Sequence, residues 1–168
     1  MQDAVETMDL ITYRPIGIIR SPFKEPAGMP VQPAAAEGVA GRVELEPGYA
    51  GGLKDIDGFS HIFLIYHFHL SEGWSPMVRP YLDDTLHGVF ATRAPRRPNA
   101  IGISVVRLVR VEGNILYIEN VDIADGTPLL DIKPYIPDVD AVEVERVGWL
   151  AGKTERIRRT RADERFWR

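Results

Sequence analysis

The sequence contains no cysteine, which excludes disulfide bridges, thiolate zinc sites and a cysteine nucleophile. It also lacks any hydrophobic run that approaches the roughly 20 residues a helix needs to cross a bilayer. The first ten residues carry three acidic side chains and no basic one, whereas a secretory signal begins with positive charge. We therefore expect a cytoplasmic protein without a membrane partner.

Two nucleotide-binding motifs are missing as well. No Gly-x-Gly-x-x-Gly segment follows a predicted strand and no P-loop is present, so the usual Rossmann and phosphate-loop sites are not indicated. The formal net charge is −4, which gives no overall electrostatic reason to bind nucleic acid. Any such binding must come from local positive patches.

What the sequence does contain is a series of short apolar, β-branched runs separated by glycine and proline. At 168 residues the chain has the length of one domain. Strands are predicted at residues 13–20, 42–46, 62–69, 88–91, 103–111, 115–118, 129–135 and 141–150. A Gly113-Asn114 turn is typical of a hairpin, and residues 47–53 fit a helical turn. Many short strands without a long amphipathic helix favour an all-β fold, specifically a barrel.

Composition divides the chain into three parts. Residues 1–12 are acidic and aperiodic, so we expect a flexible segment, and residues 13–150 form the barrel. Residues 151–168 form a tail in which seven basic side chains accompany three acidic ones. The apolar stripe of this tail is thin, so we expect a short basic helix that docks weakly or stays mobile. Phe166 and Trp167 lie among its arginines and could stack on unpaired bases.

A proline-bounded segment in the middle of the chain carries Arg93, Arg96, Arg97 and Asn99. Prolines fix the backbone, so this connection is predicted to be rigid. Arginine presents a planar fork of donors that suits carboxylates and phosphates. The segment therefore fits a wall that binds an anionic or zwitterionic ligand. A surface turn with solvated charges is the alternative.

Histidines 61, 67 and 69 raise the question of a metal site. Along one strand they spread over ~27 Å at about 3.3 Å per residue, whereas zinc needs convergent ligands. We therefore predict no metal, and we expect His69, at the end of its strand, to lie near a pocket. Asp122 follows an apolar strand, so it is expected to be partly buried and able to bind a cation or act as a base. Asp125 precedes Gly126 and most simply caps a turn.

Taken together, the motifs resemble the TsaA-like (YaeB-type) family, whose characterised members are TrmO-type tRNA methyltransferases. The matching segments are 15–24, 32–33, 59–61, 68–69, 88–93, 97–102, 125–128 and 131–135. The resemblance implies a single-sheet β-barrel that acts as a homodimer and binds S-adenosyl-L-methionine without a Rossmann sheet. It also implies methylation of N6 of N6-threonylcarbamoyladenosine at position 37, beside the anticodon of tRNA.

The resemblance also assigns site residues. The cofactor pocket it implies comprises Gln32, Pro33, Phe68, His69, Arg93, Ile103, Asn120, Val121, Asp122 and Ile123. His69, Asp122 or Asp125 would provide a base. Arg96, Arg97, Asn99 and Lys133 would contact the substrate.

The sequence departs from the family in two ways. It has Ala100 where the family often has proline, and we expect it to lack the further C-terminal domain of larger bacterial members, for which we expect the basic tail to substitute in part. Two other functions therefore stay open. One is a methyltransferase of the same fold acting on a small molecule or another nucleic acid. The other is a non-catalytic sensor that binds S-adenosylmethionine.

Overall fold

The computed structural model describes residues 9–167. Eight of the sixteen elements in this range are strands. They are β1 (Gly17–Arg20), β2 (Ala40–Leu45), β3 (His61–His67), β4 (Met77–Val78), β5 (His87–Gly88), β6 (Ile101–Glu112), β7 (Ile115–Glu119) and β8 (Thr127–Pro134). One α-helical turn, α1 (Pro137–Asp140), follows the last strand, and the other helical segments are 3-10 turns. None of the helices between residues 9 and 167 has the length and hydropathy needed to span a membrane.

Six of the strands close into one antiparallel barrel in the order β1-β2-β7-β6-β3-β8. Alternate side chains of each strand point inward, because successive residues of a strand face opposite sides. In β3, for example, Ile62, Leu64 and Tyr66 are buried. The predicted all-β barrel is therefore confirmed, and β4 and β5 pair separately beside it.

The predicted hairpin is also confirmed. β6 and β7 pair across a turn at Gly113, whose φ of 62° is left-handed and suits glycine. The predicted helical turn is present as a 3-10 helix at Pro47–Leu53. β3 ends at His67, so Phe68 and His69 begin the connection that leaves the barrel.

Two predicted strands are wrong. Residues 88–91 are predicted to form a strand, but only Gly88 pairs with a neighbouring strand. Val89–Ala91 is a 3-10 turn instead. A hydrogen bond from the Thr92 N–H to the Val89 carbonyl closes this turn. Residues 141–150 alternate valine with charge, yet 141–147 form no strand. Every edge of the barrel is already paired, so a further strand finds no neighbour there.

The expectation that the tail docks weakly is wrong as well. Phe166 is only 4% exposed and packs against Val78, Val89 and Ala94. The thin stripe along the tail suggested little burial, but one aromatic side chain in a preformed apolar recess is enough to anchor it. At the other end of the chain, residues 1–8 of the segment predicted to be flexible lie outside the described residues.

The barrel leaves no room for a side chain at Gly102. A Cβ at Gly102 would overlap the ring of Tyr66 and lie 2.8 Å from Cζ of Phe68. Gly102→Ala is therefore expected to lower the free energy of unfolding by about 1–3 kcal/mol, the usual range for overpacking a core, as measured by urea denaturation. Gly51→Ala is the control, because an added Cβ there meets no atom within 4 Å. Equal midpoints for the two variants would contradict the overlap.

Candidate active site

A cavity of about 790 Å³ opens at the end of the barrel where β3 finishes and β6 begins. Its walls come from five parts of the chain: residues 29–32, 66–70, 80–82, 90–103 and 122–127. The tail and the two residues before it contribute a sixth part, between residues 149 and 167. A volume in this range suits a small-molecule or cofactor ligand.

Most of the predicted site residues meet at this cavity. Those on its wall are Gln32, Phe68, His69, Arg93, Arg97, Asn99, Ile103, Asp122 and Ile123. They come from segments far apart in sequence, so the fold brings them together. Pro33 borders a smaller cavity of about 350 Å³, which shares Gln32 and Arg93 with the first.

Asp122 lies at the end of a hydrogen-bonded chain that runs from Tyr66 through Ser104. The Ser104 hydroxyl donates to Oδ1 of Asp122 at 2.7 Å, and the hydroxyls of Tyr66 and Ser104 are 3.0 Å apart. Because Ser104 gives its one proton to Asp122, the Tyr66 hydroxyl donates to Ser104. Burial raises the pKa of Tyr66, so the phenol stays protonated and keeps this role.

The environment of Asp122 makes it a stronger base than a free carboxylate. Burial raises the pKa of Asp122 to about 7, against the opposing effects of the Ser104 hydrogen bond and the Arg93 charge. Desolvation disfavours the charged form of a carboxyl group. The group is therefore divided between its two protonation states near neutral pH, which suits proton transfer.

His69 is the second titratable group on the wall. Its Nδ1 is 3.3 Å from the Thr127 hydroxyl. Desolvation, and next the neighbouring charge of His67, lower the pKa of His69, against the opposing effect of Asp125. The imidazole is thus neutral at pH 7 and able to accept a proton.

The carboxylate of Asp125 forms its hydrogen bonds away from the cavity wall. Its carboxylate accepts from Lys24 Nζ at 2.6 Å and from the Ser21 N–H at 3.1 Å, and it is not part of the cavity wall. Burial acts to raise the pKa of Asp125, but these hydrogen bonds and charges outweigh it and the pKa is lowered. A paired, weakly basic carboxylate of this kind is typical of a structural contact.

Three further predicted site residues contact other parts of the fold and do not line the cavity. Asn120 has a left-handed φ of 65°, and its Oδ1 accepts the Gly38 N–H at 2.9 Å. Val121 is fully buried in the barrel core. Lys133 pairs with Asp131 at 2.8 Å and lies away from the cavity wall.

The three central arginines have different surroundings. Arg93 follows the 3-10 turn, not a strand, and its Nη1 donates to Oε1 of Gln32 at 2.8 Å. Within residues 9–167, no carboxylate lies within ion-pair distance of Arg93. Arg97 donates to the carbonyls of Thr92 and Ala94 at 3.2 and 3.1 Å, so it holds the loop. Arg96 buries its Nε without a partner among the described residues.

Several residues of the site were not predicted from the sequence. Tyr66 lines this cavity and Ser104 lines the smaller one. Both lie on strands whose sequence pattern is that of a structural element, and no sequence signal distinguished them. The tail and the two residues before it supply Trp149, Leu150, Ile157, Ala162, Phe166 and Trp167. Its two terminal aromatics, placed among charges, were the available signal. Among the described residues, no group of three or more His, Cys, Asp or Glu side chains could hold a metal ion.

Comparison with known proteins places this cavity in context. Residues 18–141 match the family model of the tRNA-methyltransferase O N-terminal domain. A Pyrococcus abyssi protein named "Probable S-adenosyl-L-methionine-binding protein" is 58% identical over 158 residues, which is 94% of this chain and 86% of the relative. The Escherichia coli tRNA (adenine(37)-N6)-methyltransferase is 38% identical over 145 residues, which is 80% of this chain and 62% of the relative.

A solved structure is similar over most of the chain. The crystal structure of TrmO from Pseudomonas aeruginosa matches with a TM-score of 0.71 and 40% identity, covering 84% of this chain and 63% of that one. This chain thus spans about three fifths of the length of these two bacterial relatives. The matching family domain ends before the tail that lines the cavity.

Proposed function

Since the chain belongs to the family of the tRNA-methyltransferase O N-terminal domain, we propose that it is an S-adenosyl-L-methionine-dependent tRNA methyltransferase. Its substrate position is N6 of N6-threonylcarbamoyladenosine 37, in the anticodon loop. The observation that carries the proposal is the cavity in which an unpaired arginine faces a carboxyl group of raised pKa. The relatives named for this cofactor and this reaction support it.

The donor groups of the cavity fit the cofactor. S-adenosyl-L-methionine carries a carboxylate beside two positive charges, and it supplies an electrophilic methyl group on its sulfonium. Arg93, which has no carboxylate partner among residues 9–167, suits the carboxylate. Ionised Asp122 attracts positive charge, while Phe68, Ile103 and Ile123 offer apolar surface.

The acceptor nitrogen needs a base, because its lone pair is delocalised into the purine and the carbamoyl group. Of the three predicted bases, Asp122 fits best. It lies on the cavity wall, its pKa is raised to about 7, and Ser104 fixes its orientation. His69 lies on the same wall and is the second candidate, whereas the pairing of Asp125 with Lys24 argues against it.

Substrate recognition falls to the exposed side of the cavity. Asn99 is exposed on the wall and offers both a donor and an acceptor to the substrate. Arg97 acts by holding the loop. A base in a single-stranded loop is unpaired, so little energy is needed to bring it into such a cavity.

The protein is further proposed to act in the cytoplasm as a homodimer. Phe90, Ile101 and Ile103 are 79%, 41% and 51% exposed and lie together at the cavity mouth. Contiguous exposed apolar side chains favour coverage by a partner, and a second copy would provide it. Light scattering of the purified chain measures this directly, and a monomeric mass at micromolar concentration would exclude the dimer.

The proposed activity is tested by methyl transfer to tRNA with and without the threonylcarbamoyl group. We expect transfer only to the modified tRNA, since the unmodified adenine lacks the carboxylate and carbamoyl groups of the substrate. The label should fall on N6 of nucleotide 37, as identified by mass spectrometry of the digested RNA. Transfer to unmodified RNA or a small molecule would instead indicate another substrate for the same fold. Cofactor binding without transfer to any acceptor would indicate a sensor.

A further inference from the structure

The tail is held beside the cavity at both of its ends. At the far end, Phe166 packs edge-on against Tyr81 with ring centres 5.1 Å apart, and Arg165 Nη1 donates to the Pro80 carbonyl at 2.9 Å. The Ala162 N–H donates to the Met29 carbonyl at 2.8 Å, and the Ala162 carbonyl accepts in return from Gly28 at 2.8 Å.

The near end of the tail is anchored by Trp149 and Lys153. Trp149 stacks on His87 with ring centres 4.6 Å apart, and its Nε1 donates to the Ala91 carbonyl at 2.8 Å. Lys153 forms an ion pair with Asp83. The segment between these anchors is therefore fixed in position relative to the cavity.

That intervening segment is the 3-10 helix Thr154–Arg159. It packs against the turn Pro33–Ala35, which directly follows Gln32, the partner of Arg93. Ile157 lines both cavities, so this helix adjoins the two of them. Arg156, Arg158 and Arg159 on the same helix are exposed.

The arginines of the barrel wall differ in their partners from those of the helix Thr154–Arg159, although Arg165 further along the tail pairs with Asp163. On the barrel wall, four guanidinium groups bond glutamates: Arg20 and Arg42 to Glu44, Arg107 to Glu119, and Arg110 to Glu112. At the cavity mouth the pattern reverses. Within residues 9–167, the side chains of Arg93, Arg156, Arg158 and Arg159 form no ion pair.

The helix Thr154–Arg159 therefore places three arginines that lack an ion pair within residues 9–167 next to the cavity of a chain whose net charge is −4. Glu155 is the single acidic residue of Thr154–Arg159. A merely solvated face remains the simpler reading of most charge runs. Two observations oppose it here: the segment is clamped at both ends by specific contacts, and it adjoins the cavity instead of projecting from it.

We propose that Arg156, Arg158 and Arg159 form a docking surface for the phosphates of the RNA strand whose modified nucleotide enters the cavity. The inference rests on the proposed function and deepens it. Guanidinium groups bind phosphate through paired, charge-assisted hydrogen bonds. The tail lies beyond the matched family domain, so this chain carries RNA-binding charge on a segment of about twenty residues.

The test compares two triple variants that change the net charge equally. R156Q/R158Q/R159Q removes the tail surface, whereas R42Q/R107Q/R110Q removes arginines that glutamates already neutralise. Affinity for threonylcarbamoylated tRNA is measured from 50 to 200 mM salt. Each lost phosphate contact on a single strand lowers the slope of log K against log[salt] by about 0.7. We therefore expect a loss of about 2 in the slope for the tail variant and almost none for the barrel variant.

Three controls separate docking from other effects. Thermal unfolding shows whether each variant is folded. Titration of the tail variant with S-adenosyl-L-methionine is expected to give the wild-type Kd. For the same variant, kcat at saturating tRNA is expected to be unchanged while KM for tRNA rises at least tenfold. Equal slopes for the two variants would overturn the docking surface while leaving the proposed function intact. If the wild-type protein binds tRNA with the steeper slope but transfers no methyl group, the proposed function fails and the docking surface stands.

Discussion

Replacing Asp122 by asparagine is expected to lower kcat for methyl transfer by about 10²–10⁴-fold, the usual contribution of a positioned general base. Asparagine retains the shape of the side chain and an oxygen that accepts from Ser104. It cannot take a proton from the acceptor nitrogen. The cavity should therefore stay intact while the chemical step slows, as single-turnover measurements at saturating tRNA and cofactor would show.

The pH profile identifies Asp122 more sharply than the rate alone. A base must be ionised, so kcat/KM of the wild type is expected to rise with pH and level off above about 7, where the raised pKa of Asp122 lies. The asparagine variant should lose this rise. If the rise persists in Asp122→Asn and disappears in His69→Gln, the base is His69.

Stability provides an independent readout for the same carboxyl group. A raised pKa in the folded state means that ionisation favours unfolding, so the contribution of Asp122 to stability falls between its ordinary range near pH 4 and about pH 7. Asparagine removes this dependence. The Tm difference between Asp122→Asn and the wild type should therefore be more positive at pH 8 than at pH 4. A difference independent of pH would mean that the folded protein does not raise this pKa.

Arg93→Ala is expected to weaken cofactor binding by about 10–100-fold, because a hydrogen bond to a charged group contributes about 1.5–3 kcal/mol. Its guanidinium has no carboxylate partner among residues 9–167 and donates only to Gln32, so its charge is available to the ligand. Calorimetric titration with S-adenosyl-L-methionine measures the loss, and methyl transfer at subsaturating cofactor should nearly disappear.

Arg110→Ala is the matched control for Arg93, because Arg110 pairs with Glu112 on the barrel wall. Arg93→Lys separates charge from shape, since lysine keeps the charge but loses the planar fork. Intermediate affinity for the lysine variant is expected. Full cofactor affinity and full activity in Arg93→Ala would exclude a central role for this residue.

Much of the barrel was predictable because its strands have a local signature. Alternating or continuous β-branched runs marked β2, β3, β6 and β8, and Gly113 marked the hairpin. The error at residues 141–150 arose because pairing depends on a free neighbouring edge, which no local pattern contains. Val142 and Val144 alternate like strand residues, but they lie outside a closed barrel and are exposed.

The candidate site was predictable only in part. The resemblance to the TsaA-like family pointed to Gln32, Phe68, Arg93 and Asp122, which do meet at one cavity. It could not show that Asp125 is committed to Lys24, because that ion pair joins residues 101 positions apart.

The burial of the tail could not be predicted from the sequence either. Phe166 fills a recess formed by Val78, Val89 and Ala94, which come from a loop region with little periodicity. Only the assembled fold creates that recess, so the sequence of the tail by itself suggested weak docking.

The order of strands in the barrel has a consequence for how the protein is made. β1 is the first barrel strand to leave the ribosome, yet one of its two neighbours is β8, the last. Roughly 100 residues separate them, and at about 5–20 residues per second this interval lasts about 5–20 s. During that time β1 has an unpaired edge, which can pair with other chains. Slower aggregation is therefore to be expected when the protein is expressed at low temperature or with abundant chaperones.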